Sequence, residues 1–238
     1  MATPSFELPE SFSGIVRLFP LPNMVLFPGV VQGLHLFEPR YRQLMDDTII
    51  DDELITMALV TPESAGMEER DPDIFPTVCI GKIMTHAKLD DGRYNLLIAG
   101  MRRGRIVREL DVRTPYRQAE VELITDIHEP APSDAVLKER LLDAFRKHND
   151  LESSFDKESV KHLLSEDIEL GQLTDLICFA AGGSPLEQQS VLSMADVLLR
   201  VQLVLKMLGG SDSESSSDSS GAVDDGGSPE FPPDFSLN

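Results

Sequence analysis

The order of apolar and polar positions divides the chain into two halves. From Ile15 to Ile124 apolar residues come in short runs or alternate with polar ones, which is the period of β-strands. Beyond Glu129-Pro130-Ala131-Pro132 they recur at helical spacing, and a subdomain boundary is expected there. The first half predicts strands at Ile15–Phe19, Gly33–Phe37 and Ile55–Val60, then a β-meander or barrel edge from Val78 to Ile124. Asp91-Gly92, between Ile83–Leu89 and Tyr94–Ala99, predicts a hairpin with a tight primed turn, because such a turn needs positive φ. Gly104–Leu110 and Arg117–Ile124 read as further strands, with Gly81, Gly100 and Gly104 as bends or bulges. The helix of this half is predicted over Glu38–Ile50. Pro39 suits its first turn, and Tyr41, Leu44, Met45 and Thr48 share one face.

In the second half Ser133 is a suitable N-cap for a helix that turns Leu137, Leu141, Leu142 and Phe145 inward. A shorter helix is expected over Phe155–Leu164. Another over Ile168–Ala181 carries Leu173, Leu176, Ile177 and Ala180 as a stripe and stops at Gly182-Gly183. Ser184 and Glu187 have capping-box spacing, with Pro185 in the first turn. Ser193 with Asp196 marks one more start, opening a helix that buries Val197, Val201, Leu205 and Leu208. The fold class expected is α+β, a β-rich half followed by an α-helical half. Residues 1–14 read as a loose N-terminus. Residues 209–238 are Ser, Asp, Gly and Pro, too poor in apolar area to offset the entropy of ordering, and are expected to form a disordered tail.

Between the first two strands runs Phe19-Pro20-Leu21-Pro22-Asn23-Met24-Val25-Leu26-Phe27-Pro28-Gly29. Its prolines make it a poor central strand, yet Met24 to Phe27 are too apolar for a solvated loop. A rigid connector packed on the core follows, with Leu26 and Phe27 buried between the Ile15–Phe19 strand and the rest of the barrel.

This segment, followed by Leu34–Phe37 and Glu38-Pro39-Arg40-Tyr41, resembles the opening of the Lon protease N-terminal (substrate-binding) domain family. Ala99-Gly100-Met101-Arg102-Arg103-Gly104-Arg105-Ile106, Tyr116–Glu122 and Pro185–Leu192 leading into Val197–Leu208 match that family in its own order. The likeness spans Ile15 to Leu208. It implies a PUA-like pseudo-barrel joined to a helical bundle. Full-length Lon carries an ATPase module and a Ser–Lys peptidase module after this domain, and neither would fit into residues 209–238.

Composition narrows the function. The 238 residues hold 41 acidic against 21 basic side chains, a net charge of −20. Setting aside the seven acids after Gly209 leaves 34 against 21, or −13. So acidic a chain disfavours nucleic acid, whose phosphates need cationic neutralisation, and suits basic or apolar partners. The basic cluster Met101–Arg105, with Arg108 and Arg113, lacks interleaved aromatics and reads as pairing nearby acids rather than as an RNA patch. No apolar run approaches the roughly 20 residues of a membrane span, no secretory signal is visible, and a cytoplasmic protein is expected. Cys79 and Cys178 read as buried small hydrophobes.

Candidate chemistry is sparse. There is no phosphate-binding loop, no nucleophile elbow and no ligand spacing among His35, His86, His128, His148 and His162. His35 and His86 are expected half-buried in strands. No catalytic, metal or cofactor site is expected. The long loop Thr61–Pro76 sets Met67, Ile74 and Phe75 among acids, and these three are the candidate peptide-binding residues. The function expected is a non-catalytic module that recognises unfolded or basic, apolar polypeptides, in quality control or as an adaptor serving an ATP-dependent protease. The alternatives are an RNA-binding PUA-like module and a hydrolase using the cleft between the halves.

Overall fold

A computed structural model describes residues 8–9, 11–64, 71–148 and 168–209. Among them six strands and five helices form an α+β fold. The expected helix Phe155–Leu164, Met67 and the tail from residue 210 lie outside the described residues.

The strands are β1 (Ile15–Leu21), β2 (Val31–Leu36), β3 (Leu54–Leu59), β4 (Thr77–Lys88), β5 (Tyr94–Glu109) and β6 (Gln118–Ile124). They form one sheet in the order β2-β5-β4-β3-β1-β6, and β6 pairs again with β5. Five strands therefore close into a ring, with β2 appended to the first part of β5. Helix α1 (Pro39–Ile49) connects β2 to β3, which lies parallel to β1.

The ring encloses a small core of Val16, Leu18, Leu54, Ala58, Val78, Ile80, Ala119 and Val121. Alternate residues of β3, Ile55, Met57 and Leu59, belong instead to the larger core outside the ring, with Tyr41, Leu44 and Met45 of α1. β3 is thus buried on both faces, which is why it reads as an apolar run interrupted by Thr56 alone rather than as an alternating one.

β1 runs two residues beyond its predicted end, through Pro20. Ile15 to Arg17 pair with β6, whereas Leu18 to Leu21 pair with β3. By Pro20 the β6 partner has gone, so the missing N–H costs no ladder bond. The connector that follows is packed as expected, with Val25, Leu26 and Phe27 buried. Its main seat, however, is the outer face of β4 and β5. Gly81 and Gly100 face each other across those strands. A Cβ at Gly81 would stand 2.6 Å from Ile98 and 3.1 Å from the Leu26 side chain. Gly29 N donates to the Gly100 carbonyl at 2.9 Å, and Gly100 N donates to the Val30 carbonyl at 2.8 Å.

β4 and β5 are continuous where shorter pieces are predicted. The ladder shifts register at Gly81, at Met84 and between Ile106 and Arg108, while Gly104 pairs regularly with Val78 and Leu123 and is no bulge. The hairpin lies where predicted but its turn differs. Gly92 N donates to Leu89 O at 2.9 Å, Leu89 N donates to Arg93 O at 2.8 Å, and of the turn residues only Gly92 has positive φ, at 81°. This is a three-residue connection closed by a glycine, not a two-residue primed turn, which would need positive φ at Asp91 as well.

The remaining helices are α2 (Ser133–His148), α3 (Leu170–Ala181), α4 (Pro185–Leu192) and α5 (Val197–Gly209). Leu141, Leu142 and Phe145 of α2 are buried, while Leu137 is only half-buried. At its start the Asp134 carboxylate accepts from Ala131 N at 3.2 Å. The stripe predicted on α3 is displaced. Ala180 is exposed and Leu176 half-buried, and the buried face is Leu170, Gly171, Leu173, Thr174, Asp175, Ile177 and Cys178. The capping box at Ser184 and Glu187 is formed in both directions. Asp196 caps α5 by accepting from Leu199 N at 3.0 Å, but Ser193 closes α4 instead, donating to Gln189 O at 2.8 Å. On α5 the half-buried Leu205 yields its predicted place to Arg200 and Val204.

Candidate functional site

Two of the concavities among the described residues are opposite in chemistry. The first is a groove of about 300 Å³ at the corner between the end of β1, the end of β2 and the start of α1. Pro20, Leu21 and Pro22 form one wall, and Leu36, Phe37 and Tyr41 the other. Proline fixes φ, so the first wall is rigid before any ligand arrives. Phe19 and Tyr41 meet edge to face at 4.6 Å at the base. Burial of Tyr41 pushes its hydroxyl up to about 12, so it is a neutral donor and acceptor at physiological pH. Among the described residues the rim carries one cation and one anion, Arg40 and Glu38, paired at 3.0 Å. Phe37 is 61% exposed and stacks on His35 at 6.2 Å. An exposed phenyl ring beside rigid apolar walls is suited to receiving an apolar side chain.

The second concavity, about 390 Å³, lies between the barrel and the helices and is lined by Arg102, Arg103, Asp126, Glu169, Gln172 and Asp175 among others. Behind it is a charge cluster. Arg103 of β5 donates to Asp175 of α3 at 2.5 Å and to the Leu192 carbonyl at 3.0 Å. Arg200 of α5, fully buried, donates to both carboxylate oxygens of Asp126 and stands 3.4 Å from Asp175. Two cations and two anions thus balance. Burial pushes the Asp175 carboxyl above its ordinary range while the Arg103 and Arg200 guanidiniums pull it back. Both guanidiniums meet the same oxygen of this carboxylate, Asp175 Oδ1. The cluster ties the helices to the barrel.

The basic turn is therefore split. Arg103 points into the protein, Arg102 and Arg105 remain exposed, and Arg108 pairs with Glu120 at 2.7 Å. His35 and His86 stand in strands as expected but are exposed, not half-buried. Cys79 and Cys178 are buried free thiols, each pushed up to about 12 by burial. No group of side chains suited to a metal occurs among the described residues. Nor does any described helix have the length and apolarity to cross a membrane.

Of the three loop residues, Met67 lies outside the described residues. Ile74 bridges Val60 and packs against the barrel interior, while Phe75 packs against the larger core. The structure does not bring those two onto one surface. It brings Ser64 and Pro72 of the same loop to the rim of the apolar groove. The groove residues Pro20, Pro22, Phe37 and Tyr41 escape a sequence reading because their elements meet only in space. The buried cluster did leave a signal: Asp175 interrupts the run Leu173–Ile177, and Arg200 stands in the stripe Val197–Val204, where a lone charge needs a buried partner.

Comparison with known proteins adds three findings. Residues 15–209 match the family model described as the ATP-dependent protease La (LON) substrate-binding domain. Lon protease 2 of Myxococcus xanthus is 29% identical over 218 residues, 87% of this chain and 25% of that protein. Lon protease 2 of Syntrophobacter fumaroxidans is 29% identical over 190 residues, 79% of this chain and 23% of that protein. The chain thus spans about a quarter of the length of these relatives. Among solved structures, the N-terminal domain of Mycobacterium avium complex Lon protease superposes with a TM-score of 0.63 at 14% identity, over 82% of this chain and 97% of that one. A Lon N-terminal domain protein from Xanthomonas campestris gives 0.56 at 22% identity, over 80% and 96%.

Proposed function

The chain belongs to the family of Lon substrate-binding domains, and from that premise we propose that it is a non-catalytic module that holds exposed or unfolded polypeptide segments. Its role under this reading is in protein quality control, as an adaptor to an ATP-dependent protease. The observation that carries the proposal is Phe37, 61% exposed beside a groove walled by Pro20 and Pro22. A large aromatic ring left open at such a corner favours an apolar ligand side chain, and the net charge of −20 favours basic segments around it.

The test is a titration of fluorescently labelled, permanently unfolded casein with the full chain, at low and high salt. Weak binding is expected, falling as salt rises, because exposed charges are screened beyond about 8–10 Å at ordinary ionic strength. Phe37→Ala is expected to weaken it roughly tenfold, about 1.4 kcal/mol, with the melting temperature unchanged. Affinity untouched by Phe37→Ala would move the site elsewhere. Casein cleavage or ATP hydrolysis abolished by mutating a residue of the polar cleft would replace the binding reading with an enzymatic one.

A further inference from the structure

Among the described residues β2 stands at the end of the strand order and pairs with β5 alone. Gly100 N donates to Val30 O, and Val30 lies one residue before the pair Val31 and Ala99. The hydrogen-bonded pairs of this antiparallel ladder therefore fall at Gln32, Leu34 and Leu36, and Val31, Gly33 and His35 turn their N–H and C=O groups away from the sheet. Among the described residues one of these outward groups has a partner, the Gly33 carbonyl, which accepts from Gln32 Nε2 at 3.0 Å.

Natural proteins protect such an edge with charge, proline or a bulge. β2 reads Val-Gln-Gly-Leu-His-Leu, without a formal charge or a proline, and its pairing with β5 is regular throughout. Its solvent face continues across the sheet as an apolar surface of Val31, Leu97 and Met84, exposed by 50%, 43% and 47%. Its last residues, His35 and Leu36, run directly into the wall of the apolar groove.

We propose that β2 is a docking edge, which an extended polypeptide joins as an added strand while one of its side chains enters the groove beside Phe37. This rests on the polypeptide-binding reading above and adds its mode: main-chain hydrogen bonds supply sequence-independent affinity, and the groove selects a side chain. The occupant is a basic, apolar segment. A second copy of this chain would pair the same edge but bring its own excess of acids, 41 against 21 bases, whereas a segment carrying lysines is drawn to that field.

The experiment uses the full chain and a synthetic peptide alternating valine with lysine and threonine. Amide hydrogen exchange at Val31, Gly33 and His35 is expected to slow roughly tenfold when the peptide saturates the protein. Two further peptides are N-methylated on one alternate set of residues or on the other. One is expected to lose binding and the other to keep it, because only alternate amides of an added strand face its neighbour. Gly33→Pro removes one outward N–H where a Cβ would meet nothing closer than 3.8 Å, and it should weaken binding at unchanged secondary structure. If Gly33→Pro does not fold, the methylated peptides decide alone. Equal binding by all three peptides, with Val31, Gly33 and His35 unprotected, would overturn the added strand and leave the groove reading standing. Failure of this peptide and of unfolded casein to bind at all would overturn both. Protection of the same amides without peptide, rising with protein concentration alongside a sedimenting dimer, would assign the edge to a second copy.

Discussion

The carbonyl group of Phe27 fills the space in which residue 100 would carry a side chain. A Cβ on Gly100 would stand 2.7 Å from the Phe27 carbonyl carbon and closer still to its oxygen. Both are backbone positions, so no rotamer change relieves the clash. Gly100→Ala is expected to cost at least about 2 kcal/mol, toward the upper end of what overpacking costs. The measurement is the urea midpoint at constant slope, and an unchanged midpoint would mean that the connector is not seated on β5.

Phe27 itself is fully buried. Phe27→Ala should destabilise by roughly 3–5 kcal/mol, the scale of large core deletions. A loss under about 1 kcal/mol is what a surface site gives, and would make the connector a surface loop.

Arg103 and Asp175 join the barrel to the helices at 2.5 Å, each almost wholly buried. Arg103→Met leaves Asp175 with Arg200 alone, and a loss of about 3–5 kcal/mol is expected. Adding Asp175→Leu should return part of that loss, because Arg200 and Asp126 then remain as a balanced pair. Chemical denaturation of the two single variants and the double variant measures the coupling, and strict additivity would show that the ion pair contributes nothing specific.

The chain has three tyrosines and no tryptophan, so tyrosinate absorbance reports all of its phenols cleanly. Burial pushes Tyr41 and Tyr116 up to about 12, Tyr116 helped by its bond to Asp47 at 2.7 Å, and Tyr94 is raised as well. A phenol whose folded value is raised stabilises the fold below its unfolded value, near 10, and loses that contribution as pH climbs toward 12. The native protein should therefore show little tyrosinate at pH 10, with stability declining between there and pH 12. A half-ionised phenolate signal from a still-folded chain at pH 10, as unshifted tyrosines give, would contradict the burial of these rings.

Features set by neighbours in sequence were legible, and features set by distant partners were not. The Ser184 and Glu187 capping box and the buried face of α1 arise within a few residues, and both stand as read. Arg103 belongs to the other kind. In sequence it is one of three arginines in a basic turn, and only the fold places it against α3 and α5 while its neighbours stay in solvent. The stripe on α3 moved for the same reason, because it must turn Asp175 rather than Ala180 toward the barrel. Of the candidate site, the sequence predicts the proline wall as a rigid packed connector, while its proximity to Phe37 arises only from the pairing of β2 with β5.

Because β6 alone closes the ring, pairing with β1 on one side and β5 on the other, the order in which the chain is synthesised matters. A nascent chain that has emerged only as far as β5 has made Val16, Leu18, Leu54, Ala58, Val78 and Ile80 but not the strand bearing Ala119 and Val121 that covers them. Its closing contacts join the two ends of the β-rich half, and such distant pairings form late. Until Ile124 has left the ribosome, the half-built barrel offers two sticky rims, and that interval is when a chaperone has something to hold.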